Sequence, residues 1–592
     1  MTVNAITADA FFPTRDQTAH APMYNSAFSN SIHSSSTSSL LLHPVDSPEN
    51  ESVYIIQNRL TPFEGKIIRH ILIESLDPFG YIIADTGIAN SNLLTRAGNR
   101  LHSRSKELTI QHLLLIRPND VFDSLLVKES ERLVRRNGYV IDVRFYTSFT
   151  SANSDSVDII VRLIDKWTII PKLAFTDNYS NYRLTETNLF GLGQEIQGSY
   201  SISKINSHHY FYAKYHNPNI YNTYIRTTLQ YGSDEFQNFI KSISVDRTFY
   251  SSFTRWAGGI TFSQQLRKDT FQTIDSLIIS RQYKFTTQDY WIGKGTPILR
   301  GRSQNARSTL LITSLRYLNI NYTSPPPEAE DSLFQFTDSH FYMGSIGITT
   351  RKYIQDKYIF NYGLREDVPV GRAINLTAGY LEKNKTGNVY IGSSISHGNY
   401  YKWGYLSSGI AFGTFLQRSK VSQGLVAAGI TYFTPLLEIR KWRFRQFVKP
   451  TITIGIKRNP GEALSINDGF GLDGFTNSEL TGESRILLKL QSQSYAPWNV
   501  LGFRFGPYLI GSLGMLSNAH TDFARSKVYS QLGVGMLIKN ENLVLNTFQL
   551  SISFYTFINN NEQNSIQFNS LKTTDFDFRV FELGKPEALE YR

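Results

Sequence analysis

The chain has 592 residues, a formal net charge of +11, no cysteine and 13% aromatic residues. The missing cysteine excludes disulfide scaffolds, thiolate metal sites and cysteine nucleophiles, and the basic residues form no dense run, which argues against a nucleic-acid partner. No stretch approaches the ~20 consecutive apolar residues of a membrane helix, so a bilayer is open to this chain only through alternating strands closed into a barrel.

Residues 1–64 are rich in Ser, Thr and Asn, with hydroxyl side chains throughout Ser34–Ser39, and are expected to be disordered or flexible. No basic segment followed by an apolar run and a cleavage site is visible there, and Leu40–Leu42 is too short to serve as one.

Residues 65–167 carry a mixed pattern. Lys66–Ile73 reads as a strand, Asn92–Ser103 and Glu107–Leu115 as helices. Asp123 is placed to cap a helix over Ser124–Arg136, whose last-turn Arg132, Arg135 and Arg136 suit the helix dipole, and Asn137-Gly138 stops it. Val140–Tyr146 follows as a strand, and Val157, Ile159, Val161 and Leu163 alternate in another. The order strand, helix, helix, strand, strand resembles a POTRA domain, chiefly over Arg117–Asp123, Glu129–Val134 and Gly138–Arg144.

Residues 168–582 read as successive strands of period two. Val448, Ile452, Ile454 and Ile456 alternate with Lys449, Thr451, Thr453 and Lys457, and Phe548, Leu550, Ile552 and Phe554 with Gln549, Ser551, Ser553 and Tyr555. One face is apolar and one polar, as a lipid-facing barrel requires. The spacing predicts about sixteen strands, with Ile240–Arg247 and Phe285–Ile298 ambiguous, long loops at Lys268–Thr286 and Ser324–Ser339, a first strand near Ile169–Asn178 and a last near Thr574–Phe581. Residues 583–592 are expected to form a short tail on the side of the N-terminal module.

The segment Thr185–Gln194, with Asn188, Gly191, Gly193 and Gln194, is similar to the Asn-x-x-Gly-x-Gly-Gln element that begins the barrel in the POTRA-and-barrel insertase superfamily of BamA, TamA and Sam-type proteins. A late glycine-rich loop, Gly471–Gly482, carries the second resemblance. The fold class expected is therefore mainly β: an α+β POTRA-like domain followed by a transmembrane antiparallel β-barrel.

The resemblance implies more. In that family a loop bearing Val/Ile-Arg-Gly-Phe/Tyr folds into the barrel and its arginine meets carboxylates on the inner wall. This chain has Leu472, Asp473, Gly474 and Phe475 there, an aspartate in place of the arginine. Where the family places Asn-x-Glu this chain has Lys489-Leu-Gln491, and where it places Phe-x-Asp-x-Gly it has Ile510 to Gly514 with Ser512 between. The expectation is an inverted pair in which Asp473 is held by Lys489 or Arg485 and hydrogen-bonded by Ser512, with Gln491 and Gly514 facing the same lumen.

No nucleophile elbow, His-Glu-x-x-His or phosphate-loop motif appears, so no enzyme, metal or cofactor is expected. The resemblance implies a bacterial outer-membrane assembly or translocation barrel with its POTRA domain in the periplasm. Its partners would be unfolded outer-membrane clients, membrane lipid, and chaperones or accessory lipoproteins. A passive or substrate-specific pore is the alternative, and a soluble all-β binding protein a third reading.

Overall fold

The computed structural model describes residues 60–591 with short interruptions, the longest at 84–92, 541–547 and 569–580. The reading of residues 1–59 lies outside the described residues.

The N-terminal module runs β1 (Ile67–Leu76), α1 (Leu93–Leu101), α2 (Glu107–Gln111), α3 (Ser124–Arg135), β2 (Val140–Phe149) and β3 (Ser156–Asp165). Its sheet has the order β1-β3-β2, with β3 parallel to β1 and antiparallel to β2. The most apolar strand is the central one. Val157, Ile159, Val161 and Leu163 are fully buried and pack with Ile68, Val127, Val134 and Val143. Asp123 caps α3 by accepting from the Leu125 and Leu126 amides at 3.0 and 3.3 Å. Asn137 closes its other end by donating to the Leu133 carbonyl at 2.7 Å.

The second helix is shorter than the expected Glu107–Leu115. The carbonyls of His112 and Leu113 accept instead from Asn219 (2.8 Å) and the Tyr224 hydroxyl (2.6 Å), both on a barrel turn. Partners outside the helix satisfy these groups, so nothing requires it to continue.

The remainder is an antiparallel sheet of twenty-two strand segments closed into a barrel. Two of them, Leu437–Ile439 and Asn499–Val500, extend the strand before them onto the same partner. That leaves twenty staves among the described residues, not sixteen. Both ambiguous stretches are strands, Phe239–Arg247 and Ile278–Pro297. Lys268–Thr286 is no loop: the hairpin of Trp256–Gln272 and Ile278–Pro297 stays paired out to Gln272 and Ile278. Its polar outer part lacks an apolar stripe, yet backbone pairing there needs none. The expected last strand, residues 574–580, lies outside the described residues.

Along the staves, exposed apolar side chains alternate with buried polar ones. Leu315 is 65% exposed and its neighbour Arg316 4%. Leu184, Phe211, Leu376, Leu509 and Leu550 carry the same outward belt onto other staves. An exposed apolar band of this extent is what lipid covers.

The ring closes between β4 (Ile169–Phe175) and Gln563–Phe568. These are the shortest staves among the described residues, at 7 and 6 residues, against 19 in Arg365–Lys383.

Candidate functional site

Three groups of contacts organise the barrel: a clasp at one rim, a loop folded in from the other, and the C-terminal segment within the lumen.

The clasp holds the module to the rim. Asn188 is buried, donates to Ser105 Oγ at 3.0 Å and accepts from the Gly193 amide at 2.7 Å. Ser105 is in turn fixed by Asp165, whose two oxygens accept from its hydroxyl and its amide. The Gly191 carbonyl accepts from the Lys106 amide (2.9 Å) and Thr109 Oγ1 (2.8 Å). Gly191 has φ +74°, and a Cβ there would lie 2.1 Å from the Arg104 carbonyl oxygen. Only glycine permits both the left-handed backbone and the close approach. Gly193 packs on the Tyr139 ring, and the Gln194 carbonyl accepts from the Leu189 amide at 2.8 Å.

The arginines of α3 do more than suit its dipole. Arg135 pairs with Asp367 at 2.9 Å and with Glu131 at 3.0 Å. From the barrel side Arg365 returns to Glu131 and Asp142. Arg132 pairs with Glu129 (2.7 Å) and stacks over the Tyr353 ring at 4.1 Å. Burial pushes the Glu129 carboxyl up, but the charge and hydrogen bonds of Arg132, with Ser251 and Arg351, outweigh it and hold the group below the usual carboxylate range. Sequence alone marks these residues as helix-end charges, because their partners lie more than two hundred residues away.

The loop between Trp442–Ile456 and Ser484–Tyr495 enters from the opposite rim. Leu472 and Phe475 are fully buried, packed with Leu464, Ile466, Leu487, Leu516 and Tyr555. Gly474 has φ +74°, and its amide donates to Asp468 at 3.0 Å. Asp473 is buried, its Oδ1 3.3 Å from Lys489 Nζ. Arg485 donates to the Ser465 carbonyl at 2.6 Å. Gln491 donates to Gln493 at 3.2 Å. Ser512 Oγ is buried with no hydrogen-bond partner among the described residues, so the expected bond to Asp473 is not made. Gly514 lies against Leu487 and Ile466. The Asp473 carbonyl is held by Gln531 Nε2 (2.6 Å) and the Tyr555 hydroxyl (2.5 Å). Those two were missed at the sequence level. The only available signal was a polar residue on the inward register of each stave.

The C-terminal segment is not a tail on the module side. Phe581 is buried in the lumen, where its carbonyl accepts from Thr349 Oγ1 at 2.5 Å. Glu582 meets Arg351 at 2.7 Å and Lys585 meets Asp289 at 2.5 Å. The Pro586 carbonyl accepts from Arg316 at 2.9 Å, and the Leu589 amide donates to the Tyr390 hydroxyl at 2.9 Å. The Tyr591 hydroxyl donates to the Glu483 carbonyl at 2.7 Å. A polar inner wall with buried arginines requires opposite charge nearby, and this segment supplies part of it.

No family model matches the chain, and no curated protein matches it. Among solved structures, CdiB from Escherichia coli is 9% identical, with 86% of this chain and 78% of that chain covered and a TM-score of 0.41. CdiB from Acinetobacter baumannii is 10% identical, covering 85% and 73%, with a TM-score of 0.36. BamA from Haemophilus ducreyi lacking POTRA domains 1-3 is 12% identical, covering 85% and 83%, with a TM-score of 0.32. With each of these TM-scores below 0.5, the functional reading rests on the chain's own geometry.

Proposed function

We propose that this chain is an outer-membrane barrel that assembles or translocates other polypeptides, and that its α+β module is a POTRA-type domain on the periplasmic side. The observation that carries the reading is the placement of the module. It is clasped through Asn188 and Gly191 to the turn that directly follows the first hairpin of the barrel, beside the stave at which the ring closes. The apolar belt supports a membrane setting for the barrel. The module's edge strands β1 and β2 each have β3 as their only sheet neighbour, and such edges accept an added strand.

In this reading an unfolded client pairs with a module edge and passes to the barrel. The closing staves, β4 and Gln563–Phe568, form a seam. Short staves share few backbone hydrogen bonds, so opening there disrupts the fewest contacts in the ring. The parted edges then template the client strand without nucleotide hydrolysis.

The chain has no cysteine, so introduced pairs are the only thiols. A panel of paired cysteines along β4 and Gln563–Phe568, oxidised in the membrane, is expected to stop client assembly and to release it on reduction. Undiminished assembly with the seam demonstrably crosslinked would show that the seam is not the gate. A simple pore predicts that outcome, together with steady conductance after removal of the module.

A further inference from the structure

Residues 581–591 cross the lumen from the module rim to the far mouth. Phe581 starts beside Thr349 and Arg351, Lys585 and Pro586 lie at Asp289 and Arg316 midway up the wall, and Tyr591 reaches Glu483 at the outer end. Ten residue steps of extended chain span ~33 Å, close to the ~30 Å of a hydrocarbon core. Only Glu587 and Glu590 of this segment are exposed.

The wall recognises the segment in two ways. Thr349, Arg316 and Tyr390 bond its main chain, which any extended polypeptide offers. Arg351 and Asp289 read a carboxylate and, three residues on, an amine. Arg351 is itself buried, so when Glu582 leaves, the wall presents a cation in need of another carboxylate.

We propose that this inner wall is a binding track for an extended polypeptide bearing an acidic residue followed three places later by a basic one, and that residues 581–591 occupy it in cis until a client segment displaces them. The proposal rests on the assembly reading and names the site at which a client is held. The resident segment also closes the lumen while no client is present.

The test uses the full-length chain in planar bilayers, with a synthetic peptide of residues 581–592 as the probe. In the Glu582→Lys, Lys585→Glu variant the segment loses both charge contacts, and conductance is expected to rise above that of the unaltered chain. The added peptide should then block this variant saturably. A peptide with the two charges exchanged should block roughly tenfold more weakly, the factor one lost charge-assisted contact supplies. Equal block by both peptides, or by neither, overturns the proposal.

A second variant guards against a failure to fold. Leu583 Cδ1 lies 2.5 Å from where a Cβ on Gly347 would stand, so Gly347→Cys with Leu583→Cys allows the segment to be locked by oxidation. The locked chain is expected to refuse peptide and to lose client assembly, both recovered on reduction. Assembly that proceeds in the locked state overturns the displacement step. The peptide measurement contains no client and leaves the seam crosslink untouched, so failure of the track is distinguishable from failure of the assembly reading.

Discussion

At the scale of single residues, burial turns small changes into large ones. Asp473 and Lys489 form a pair whose side chains are 7% and 19% exposed. Asp473→Ala would leave an amine without its partner, at a cost of about 3–5 kcal/mol if the site stays closed to water. Tyr555→Phe would remove one of two hydrogen bonds on the Asp473 carbonyl, a loss of about 1 kcal/mol. Thermal unfolding in detergent should order the two in that sequence, and Asp473→Lys with Lys489→Asp should recover part of the first loss. Gly191→Ala is expected to loosen the module without unfolding the barrel, because the added Cβ meets the Arg104 carbonyl oxygen at 2.1 Å. Gly198→Ala has nothing within 4 Å to meet and serves as the control. Proteolysis of the module in otherwise intact barrels would measure the difference.

At the scale of elements, α3 is the lever between module and barrel. Arg135→Ala leaves Asp367 and Glu131 facing each other across a dry interface, a change of about 3–5 kcal/mol in docking. The pH dependence follows from Glu129. Its carboxyl lies below the usual range when docked, so its contribution is complete above about pH 4.5 and drains away as pH falls through the lower folded value. Amide exchange in α3 should therefore accelerate under acid before the barrel staves are affected. The sequence marks α3 clearly through its cap, its apolar face and its stop signal. Its interface role was not legible, since Asp367 and Arg365 sit 232 and 234 residues from the groups they bind on α3.

At the scale of the whole molecule, the ring is unequal around its circumference. Backbone amides in Ile169–Phe175 and Gln563–Phe568 are expected to exchange faster than those in Arg365–Lys383, because a seam of 7 and 6 residues opposes opening with far fewer hydrogen bonds than a stave of 19. Equal protection around the ring would remove the physical basis for lateral opening. Lumen and wall also differ in how they arise. The outward belt follows from alternation on each stave, while the inner wall is completed by a loop from one end and the C-terminal segment from the other.

Alternation at period two and the capping signals are local, so the sequence by itself determined that the chain is a small α+β module followed by a long run of antiparallel strands. It also singled out the turn residues Asn188 and Gly191 and the loop around Asp473, since glycine spacing is equally local. The count of staves escaped it, because polar strand ends pair through backbone groups that carry no side-chain signature. Only the tertiary structure decided that residues 581–591 run through the lumen, that Gln531 and Tyr555 hold the loop, and that the α3 arginines clasp the rim. Each of those contacts joins groups far apart in the chain, and they meet only when the ring closes and excludes water from both partners at once.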